Sequence, residues 1–247
     1  MKAVILAGGR GTRLAPYTTV LPKPLVPVGD IPILEVIIRQ LIANGFESAT
    51  LTLGHLGELI RAFFAAQKTL SRQINLQFVD EEQPTGTAGS LRLVPDLPET
   101  FLVMNGDVLT TIDYLRLINF HRESGAWLTI ASHRKQVNID LGVMQIQDGE
   151  VTGYIEKPQY EYPVSMGIYI YDRRALEYIP PGRHFDFPEL VLKLLAHKKK
   201  VACFESDAVW LDIGRREDYE AAQKLFEQNQ DQFRMAGWPK TTPAAEK

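Results

Sequence analysis

Cysteine is almost missing from this sequence: Cys203 stands alone among 247 residues, which excludes an intrachain disulfide and a cysteine metal cluster. It lies in the apolar stretch Val201-Ala202-Cys203-Phe204, where a buried, inert thiol is expected. Long hydrophobic runs are missing too. None reaches the roughly 18 residues of a membrane-spanning helix, and the first residues lack a signal-peptide core, so no membrane partner and a cytoplasmic location are expected. Charge of one sign is not in excess. A net charge of −3 gives no global attraction for nucleic acid, so any anion site must be made locally. Neither a Ser/His/Asp nor a Cys/His arrangement stands out, and the five histidines, which show no ligand spacing, read as surface or packing residues.

What is present begins with alternation. Short β-branched runs at Ala3–Leu6, Ala49–Leu53, Leu76–Val79 and Phe101–Met104 alternate with helical patterns at Ile33–Asn44, Leu56–Gln67 and Tyr114–Ser124. In the first helix Leu34, Ile37, Ile38, Leu41 and Ile42 recur at 3–4 spacing, and Asn44-Gly45 is the stop. This order predicts an α/β fold, a mostly parallel mixed sheet with helices on both faces in three layers. The second half is richer in strands, at Leu128–Ser132, Gly142–Ile146, Val151–Ile155 and Ser165–Tyr171, before helices at Phe187–His197 and Glu217–Gln228. A single domain over 1–228 is expected, in halves 1–112 and 113–228. A polar tail, 229–247, is expected to be flexible.

Chemistry concentrates where strands end. After Lys2-Ala3-Val4-Ile5-Leu6 comes Ala7-Gly8-Gly9-Arg10-Gly11-Thr12-Arg13, and Asn105-Gly106-Asp107 follows Phe101–Met104. In open α/β sheets ligands bind at such carboxyl ends, so the two segments are expected to share one crevice. Bare glycine backbone exposes N–H groups as an anion nest, and Arg10 and Arg13 add donors suited to phosphate. A plain strand-to-helix turn with solvated arginines is the bland alternative. The loop is neither a P-loop, since no Gly-Lys-Ser/Thr follows, nor a dinucleotide fingerprint, since the third glycine is absent. Lys23, held between Pro22 and Pro24, is an aimed charge in the same connection.

Together, Leu6-Ala7-Gly8-Gly9-Arg10-Gly11-Thr12-Arg13-Leu14 and Pro22-Lys23-Pro24-Leu25 resemble the signature of the sugar-1-phosphate nucleotidyltransferases, a likeness that runs to about Ala222. The resemblance implies a Rossmann-like catalytic domain whose smaller, β-rich half holds the sugar. Its substrates would be a nucleoside triphosphate and a sugar 1-phosphate, with Mg²⁺ as cofactor, and it leaves room for a homo-oligomer. The first loop, Leu6, Ala7, Gly8, Gly9, Gly11 and Thr12, would wrap the triphosphate, with Arg13 and Lys23 on its phosphates. Glu81, Gly86 and Thr87, in Glu81-Glu82-Gln83-Pro84-Thr85-Gly86-Thr87-Ala88-Gly89, fall where the family reads the base.

A carboxylate only accepts, and guanine offers N1–H and N2–H side by side, so GTP is favoured over dTTP, UTP and CTP. Asp107 and Asp212 match the metal carboxylates, and Mg²⁺ suits such oxygen ligands. Asn105, Gly142, Glu156, Lys157, Ser165 and Gly167 match the sugar-phosphate elements. The family commonly has Asn where Ser165 stands, which leaves the sugar open, with mannose or heptose types favoured. Lys157 would hold the attacking phosphate. The rival of another class is a non-catalytic subunit that senses nucleotide sugars, which should have lost these cations and carboxylates. No left-handed β-helix domain, which some relatives carry, is expected within these 247 residues.

Overall fold

The first strand is buried on both sides. In β1 (Lys2–Ala7), Ala3, Ile5 and Ala7 enter one apolar cluster while Val4 and Leu6 enter another. Only a central strand with helices over each face gives a continuous apolar run both burials. The structure, a computed structural model, describes residues 1–233. Beyond β1 come a small hairpin, β2 (Pro27–Val28) and β3 (Ile31–Pro32), then α1 (Ile33–Ala43), β4 (Ser48–Leu53), α2 (Gly57–Ala66), α3 (Lys68–Gln73) and β5 (Asn75–Asp80). The middle of the chain forms β6 (Thr100–Asn105), β7 (Val108–Thr110), α4 (Tyr114–Ser124) and β8 (Leu128–Asn138). It continues as β9 (Val143–Gln147), β10 (Glu150–Ile155), β11 (Gln159–Asp172), α5 (Phe187–Ala196), β12 (Val201–Glu205), β13 (Trp210–Asp212), α6 (Arg216–Gln228) and α7 (Gln230–Phe233).

Seven strands make the main sheet in the order β12-β8-β11-β6-β1-β4-β5. From β6 to β5 all neighbours are parallel, and only β11 runs antiparallel to both of its neighbours. The expected mostly parallel α/β sheet is therefore what forms. The chain leaves β1 toward β4 and β5, then returns to the other side of β1 as β6, so the order reverses between β1 and β6. Such a reversal opens a crevice at the carboxyl ends.

Local signals set the helix ends. α1 buries Leu34, Ile37, Ile38 and Leu41 and stops at Asn44, with Gly45 at φ 74°. Asp113 caps α4 by accepting from the Arg116 N–H at 2.9 Å, and Gly125 ends it at φ 61°.

Three expectations need correction. β8 and β11 extend well past the predicted Leu128–Ser132 and Ser165–Tyr171, pairing from Gln159↔Asn138 to Tyr171↔Leu128. Their outer halves form a largely exposed ribbon: one face mixes Tyr160, Tyr162, Val164 and Val137 with Lys135 and His133, and the other is polar apart from Pro163, so no clean apolar alternation marks them. Cys203 is exposed, because β12 is the sheet's edge and turns Phe204 inward and Cys203 outward. The packed chain also passes residue 228: α7 buries Phe233, whose ring stacks on Phe226 at 5.5 Å. The rest of the expected tail, 234–247, lies outside the described residues.

The two sequence halves interlock. One apolar cluster runs from Ala3 to Phe233, and Gln223 of α6 accepts from the Gly29 N–H at 2.8 Å while donating to the Pro27 carbonyl at 2.8 Å. No helix among the described residues is long and apolar enough to cross a membrane.

α4 carries one titrating group into the core. His121 is buried, with Nδ1 2.8 Å from the Thr129 hydroxyl. Burial holds its pKa below the ordinary value, with Arg122 adding to that effect and Asp172 opposing it. A depressed folded-state pKa means that the fold keeps its full stability above the unfolded value near 6.5 and loses it as pH falls below that value. Thermal melts from pH 7.5 to 5 should therefore show a steeper decline for the native chain than for His121→Gln. Parallel declines would remove His121 as the cause.

Candidate active site

Register alone lines up four strand ends. Leu6 pairs with Asn105, Ala7 with Leu53, and Leu53 with Asp80, so Gly8, Gly54 and Glu81 follow in one row, with Asn105 beside Leu6 just before it. The row is tight at its centre. A Cβ on Gly54 would come to 2.5 Å from the Gly8 carbonyl oxygen, and one on Gly8 to 2.7 Å from Glu81 Oε1. Gly54, against backbone, needs glycine for this close approach, while a side chain at Gly8 would displace the Glu81 carboxylate.

Above the row lies a cavity of about 440 Å³. Leu6, Ala7, Gly8, Gly9 and Lys23 line one side, and Glu81, Gly86 and Thr87 another, with Asn105 and Asp107 at one end. Gly11, Thr12 and Arg13 do not line it. Gly11, at φ 60°, caps the short turn Thr12–Leu14, and the Thr18 hydroxyl donates to its carbonyl at 2.8 Å. Arg13 instead turns toward Asp212: its Nη1 and the Asp212 Oδ2 lie 4.0 and 3.9 Å from where a Gly214 Cβ would be.

Two carboxylates meet at the end of this cavity. Gly106 donates its N–H to the Leu6 carbonyl at 2.9 Å, which sets Asp107 beside β1. β13 pairs with β7 so that Asp212 faces Val108, and the Ile213 N–H donates to the Asp107 carbonyl at 3.2 Å. Lys23 lies between the acids, ion-paired with Asp107 Oδ2 and 4.0 Å from Asp212 Oδ1. Burial raises the Asp212 pKa and the Asp107 charge raises it further, against Lys23 and Arg13. Asp107 Oδ1 is buried and accepts no hydrogen bond. A buried anionic oxygen with no donor, beside a second carboxylate, fits a hard divalent cation.

A second cavity, of about 540 Å³, opens on the far side of Asn105 and shares Asn105 and Thr87 with the first. A bulge in β11 between Ser165 and Tyr169 shapes it. There Gly167 takes φ 73°, and a Cβ on it would come to 2.7 Å from the Asn105 amide nitrogen. The Ser165 hydroxyl donates to the Tyr169 oxygen at 3.2 Å and accepts the Gly167 N–H at 3.3 Å. Trp210 donates its indole N–H to the Met166 carbonyl at 2.9 Å, and Tyr169 stacks on Phe187 at 3.9 Å.

The wall between the cavities is a clasp of distant segments. Phe185 donates its N–H to the Thr85 carbonyl at 2.8 Å and accepts from Ala88 and Gly89 at 3.1 and 2.8 Å. Asp186 Oδ1 accepts the Thr87 N–H at 2.9 Å.

Gly142, Glu156 and Lys157 line neither cavity. They flank the separate β9–β10 ribbon, where the Tyr154 ring lies directly over Gly142 and Lys157 takes φ 45°. Several lining residues went unread in sequence. Gly54 has the same signal as Gly9, a glycine just past an apolar run, while Phe187, at the start of an expected helix, and Trp210 carry no local sign of a site. His55 and His184 line the first cavity rather than merely facing solvent or packing. Asp186 carries the capping-box pattern Asp186-Phe187-Pro188-Glu189, which announces a helix start but not a neighbour 99 residues away. Ligand atoms of His184, Asp186 and Glu189 also lie within 4.8 Å of one another. Those acids are engaged on backbone, Asp186 Oδ1 with Thr87 and Glu189 Oε2 with the Asp186 N–H, so the trio is a cap.

Comparison with known proteins follows the same lines. Residues 2–229 match the family described as Nucleotidyl transferase. The chain is 33% identical over 238 residues to a UTP–glucose-1-phosphate uridylyltransferase of Synechocystis sp., covering 89% of this chain and 61% of that protein. It is 32% identical over 225 residues to a mannose-1-phosphate guanylyltransferase of Mycobacterium tuberculosis, covering 88% of this chain and 62% of that protein. The chain thus spans about three fifths of the length of these relatives. Among solved structures, HddC from Yersinia pseudotuberculosis complexed with GMP-PN superposes with a TM-score of 0.69 at 26% identity, covering 91% of this chain and 99% of that one.

Proposed function

Because the chain belongs to the sugar-1-phosphate nucleotidyltransferase family, we propose that it moves a nucleotidyl group from a nucleoside triphosphate, GTP by preference, to a sugar 1-phosphate of the mannose or heptose type. The observation that carries this reading is Lys23 between Asp107 and Asp212, at the point where the two cavities meet. The first cavity takes the triphosphate, the second takes the sugar, and the reacting phosphates lie between.

An oxygen of the sugar phosphate attacks the α-phosphorus, the bond from that phosphorus to the bridging oxygen breaks, and pyrophosphate leaves with the electron pair. The nucleophile is already ionised at neutral pH, so no proton has to be moved. Glycine-bared N–H groups of the first loop hold the phosphates, and Lys23 offsets the charge that builds on the leaving group, where Arg13, turned toward Asp212, would join only by swinging toward the first cavity. Asp107 and Asp212 would hold a divalent cation, Mg²⁺, which when bound supplies charge neutralisation between the two polyanions. Positioning then accounts for most of the rate. Asn105 and Ser165, with Gly167 leaving room, border the sugar. Glu156 and Lys157 would join only if the β9–β10 ribbon swung toward the second cavity.

Glu81 carries the base preference. Its Oε2 accepts the Thr85 N–H at 3.2 Å and the Thr85 hydroxyl at 2.6 Å, which fixes the carboxylate at the cavity wall. A fixed acceptor suits guanine, whose N–H donors are adjacent. The relative that acts on mannose 1-phosphate and the HddC complex with GMP-PN agree with GTP. A second reading, UTP, draws on the same contact. Thr85 already fills Oε2, leaving Oε1 as the more available acceptor for a single pyrimidine N–H, and the Synechocystis relative is named for UTP.

Pyrophosphate release from four triphosphates against a panel of sugar 1-phosphates tests both. GTP is expected to exceed the others by at least about tenfold, with Glu81→Gln reducing that margin. UTP outrunning GTP would select the second reading, and no release from any pair would reject the reaction.

A further inference from the structure

The second cavity is poorly equipped to hydrogen-bond a hydroxylated sugar. Ile130 of β8 and Phe187, Val191 and Leu192 of α5 form one side of it, and Met166 and Trp210 lie among the remaining walls. Leu192 is 67% exposed on this wall. Open apolar surface beside a polar site is what a ligand's own apolar surface covers. The hydroxyls in the lining are largely committed elsewhere. Thr87 Oγ1 donates to Asp186 and accepts the Phe187 N–H at 2.8 Å, while Ser165 Oγ is shared between Tyr169 and Gly167. The polar groups left are the Tyr169 O–H, the Asn105 amide and the Asp212 carboxylate, the last two on the side of Lys23 where the phosphates are placed. A sugar hydroxyl pressed against Ile130 or Val191 would give up hydrogen bonds to water and regain none, and one beside the open Leu192 would gain nothing from the protein.

We propose that the acceptor is a sugar 1-phosphate with a methyl-bearing substituent, either the methyl of a deoxy sugar or that of an acetamido group, lying against Ile130, Val191 and Leu192. This rests on the transfer reaction above and narrows its acceptor: a methyl-bearing derivative is used in preference to the fully hydroxylated mannose or heptose type. The phosphate and anomeric carbon lie toward Asp107 and Asp212, and the substituent points to α5.

The test measures kcat/KM by pyrophosphate release, with the best triphosphate, for mannose 1-phosphate, its 6-deoxy analogue, glucose 1-phosphate and N-acetylglucosamine 1-phosphate. One methyl-bearing acceptor should exceed its hydroxylated parent by at least about tenfold, the scale of a group filling an apolar pocket. Which of the two wins identifies the substituent. Leu192→Asn, at an exposed position, should shrink that ratio without moving the melting temperature. A parent hexose used as well as or better than both analogues would overturn the proposal and leave the transferase reading standing. A ratio untouched by Leu192→Asn would overturn the placement of the methyl. Release from none of the acceptors would overturn both the proposal and the reaction beneath it.

Discussion

Asp107→Asn should lower turnover at least about a hundredfold, the scale of losing one contact made to developing charge. The substitution keeps the side chain's shape but turns a charged, partnerless buried oxygen into a neutral amide, so cation affinity goes with it. Lys23→Ala should fall by a similar factor for a different reason. It removes the positive charge between Asp107 and Asp212 and leaves both acids facing each other unshielded. Two readouts separate the cases. With Asp107→Asn, raising the Mg²⁺ concentration should recover part of the rate, whereas with Lys23→Ala it should not. The side chains of Lys23 and Asp107 are 11% and 21% exposed, so their pairing is only partly screened and the lysine variant should also melt lower. Near-native turnover in both variants would dismiss this junction as the reaction centre.

Gly86→Ala should be the most damaging single methyl group added near the site. Gly86 sits at φ 82°, and a Cβ there would come to 2.6 Å from the Phe185 carbonyl oxygen and 2.9 Å from Asp186 Oδ1. The left-handed conformation costs an alanine about 1 kcal/mol. The contact with backbone must also push the 85–89 loop away from 185–187, which strains hydrogen bonds worth about 1 kcal/mol each. A loss of about 2–4 kcal/mol follows, or very roughly 5–15 °C in melting temperature for a chain of this size. Thr87 lines both cavities, so KM for both substrates should rise together. Gly45→Ala is the matched control: its φ of 74° imposes the same backbone strain, but nothing lies within 4 Å of the added atom. Equal melting shifts in the two variants, with KM unchanged in Gly86→Ala, would show that the clasp does not hold the site.

Legibility followed burial. β1, β4 and β6 match their expected ends to within a residue because both-face burial demands a largely apolar run, and Ala3–Leu6 and Phe101–Met104 carry one; β5, at the sheet's edge, shows instead in Leu76, Phe78 and Val79. The outer halves of β8 and β11 carry no such run, since Gln159↔Asn138 and Glu161↔Gln136 are polar pairs on a ribbon whose strand identity comes from the ladder alone. β13 has no pattern of its own to announce it, since its three residues are a strand only through β7. The site divided the same way. Gly8, Gly9, Lys23 and Asp107 stand out because glycines, a lysine between prolines and an acid past a strand end have no packing purpose. Asp186, Gly54 and Trp210 look ordinary in their own neighbourhoods, and the first of them meets Thr87 across 99 residues.

The amino-acid order by itself determined the α/β layering and the glycine-rich loop past the first strand, because hydrophobic period and bare glycine backbone act over a few residues. Folding decided which carboxylates share a lysine, that Glu81 spends one oxygen on Thr85, and that Phe187, Val191 and Leu192 wall the second cavity. Those facts depend on segments that meet only when the sheet closes, and no local pattern of side chains can encode a distance between them.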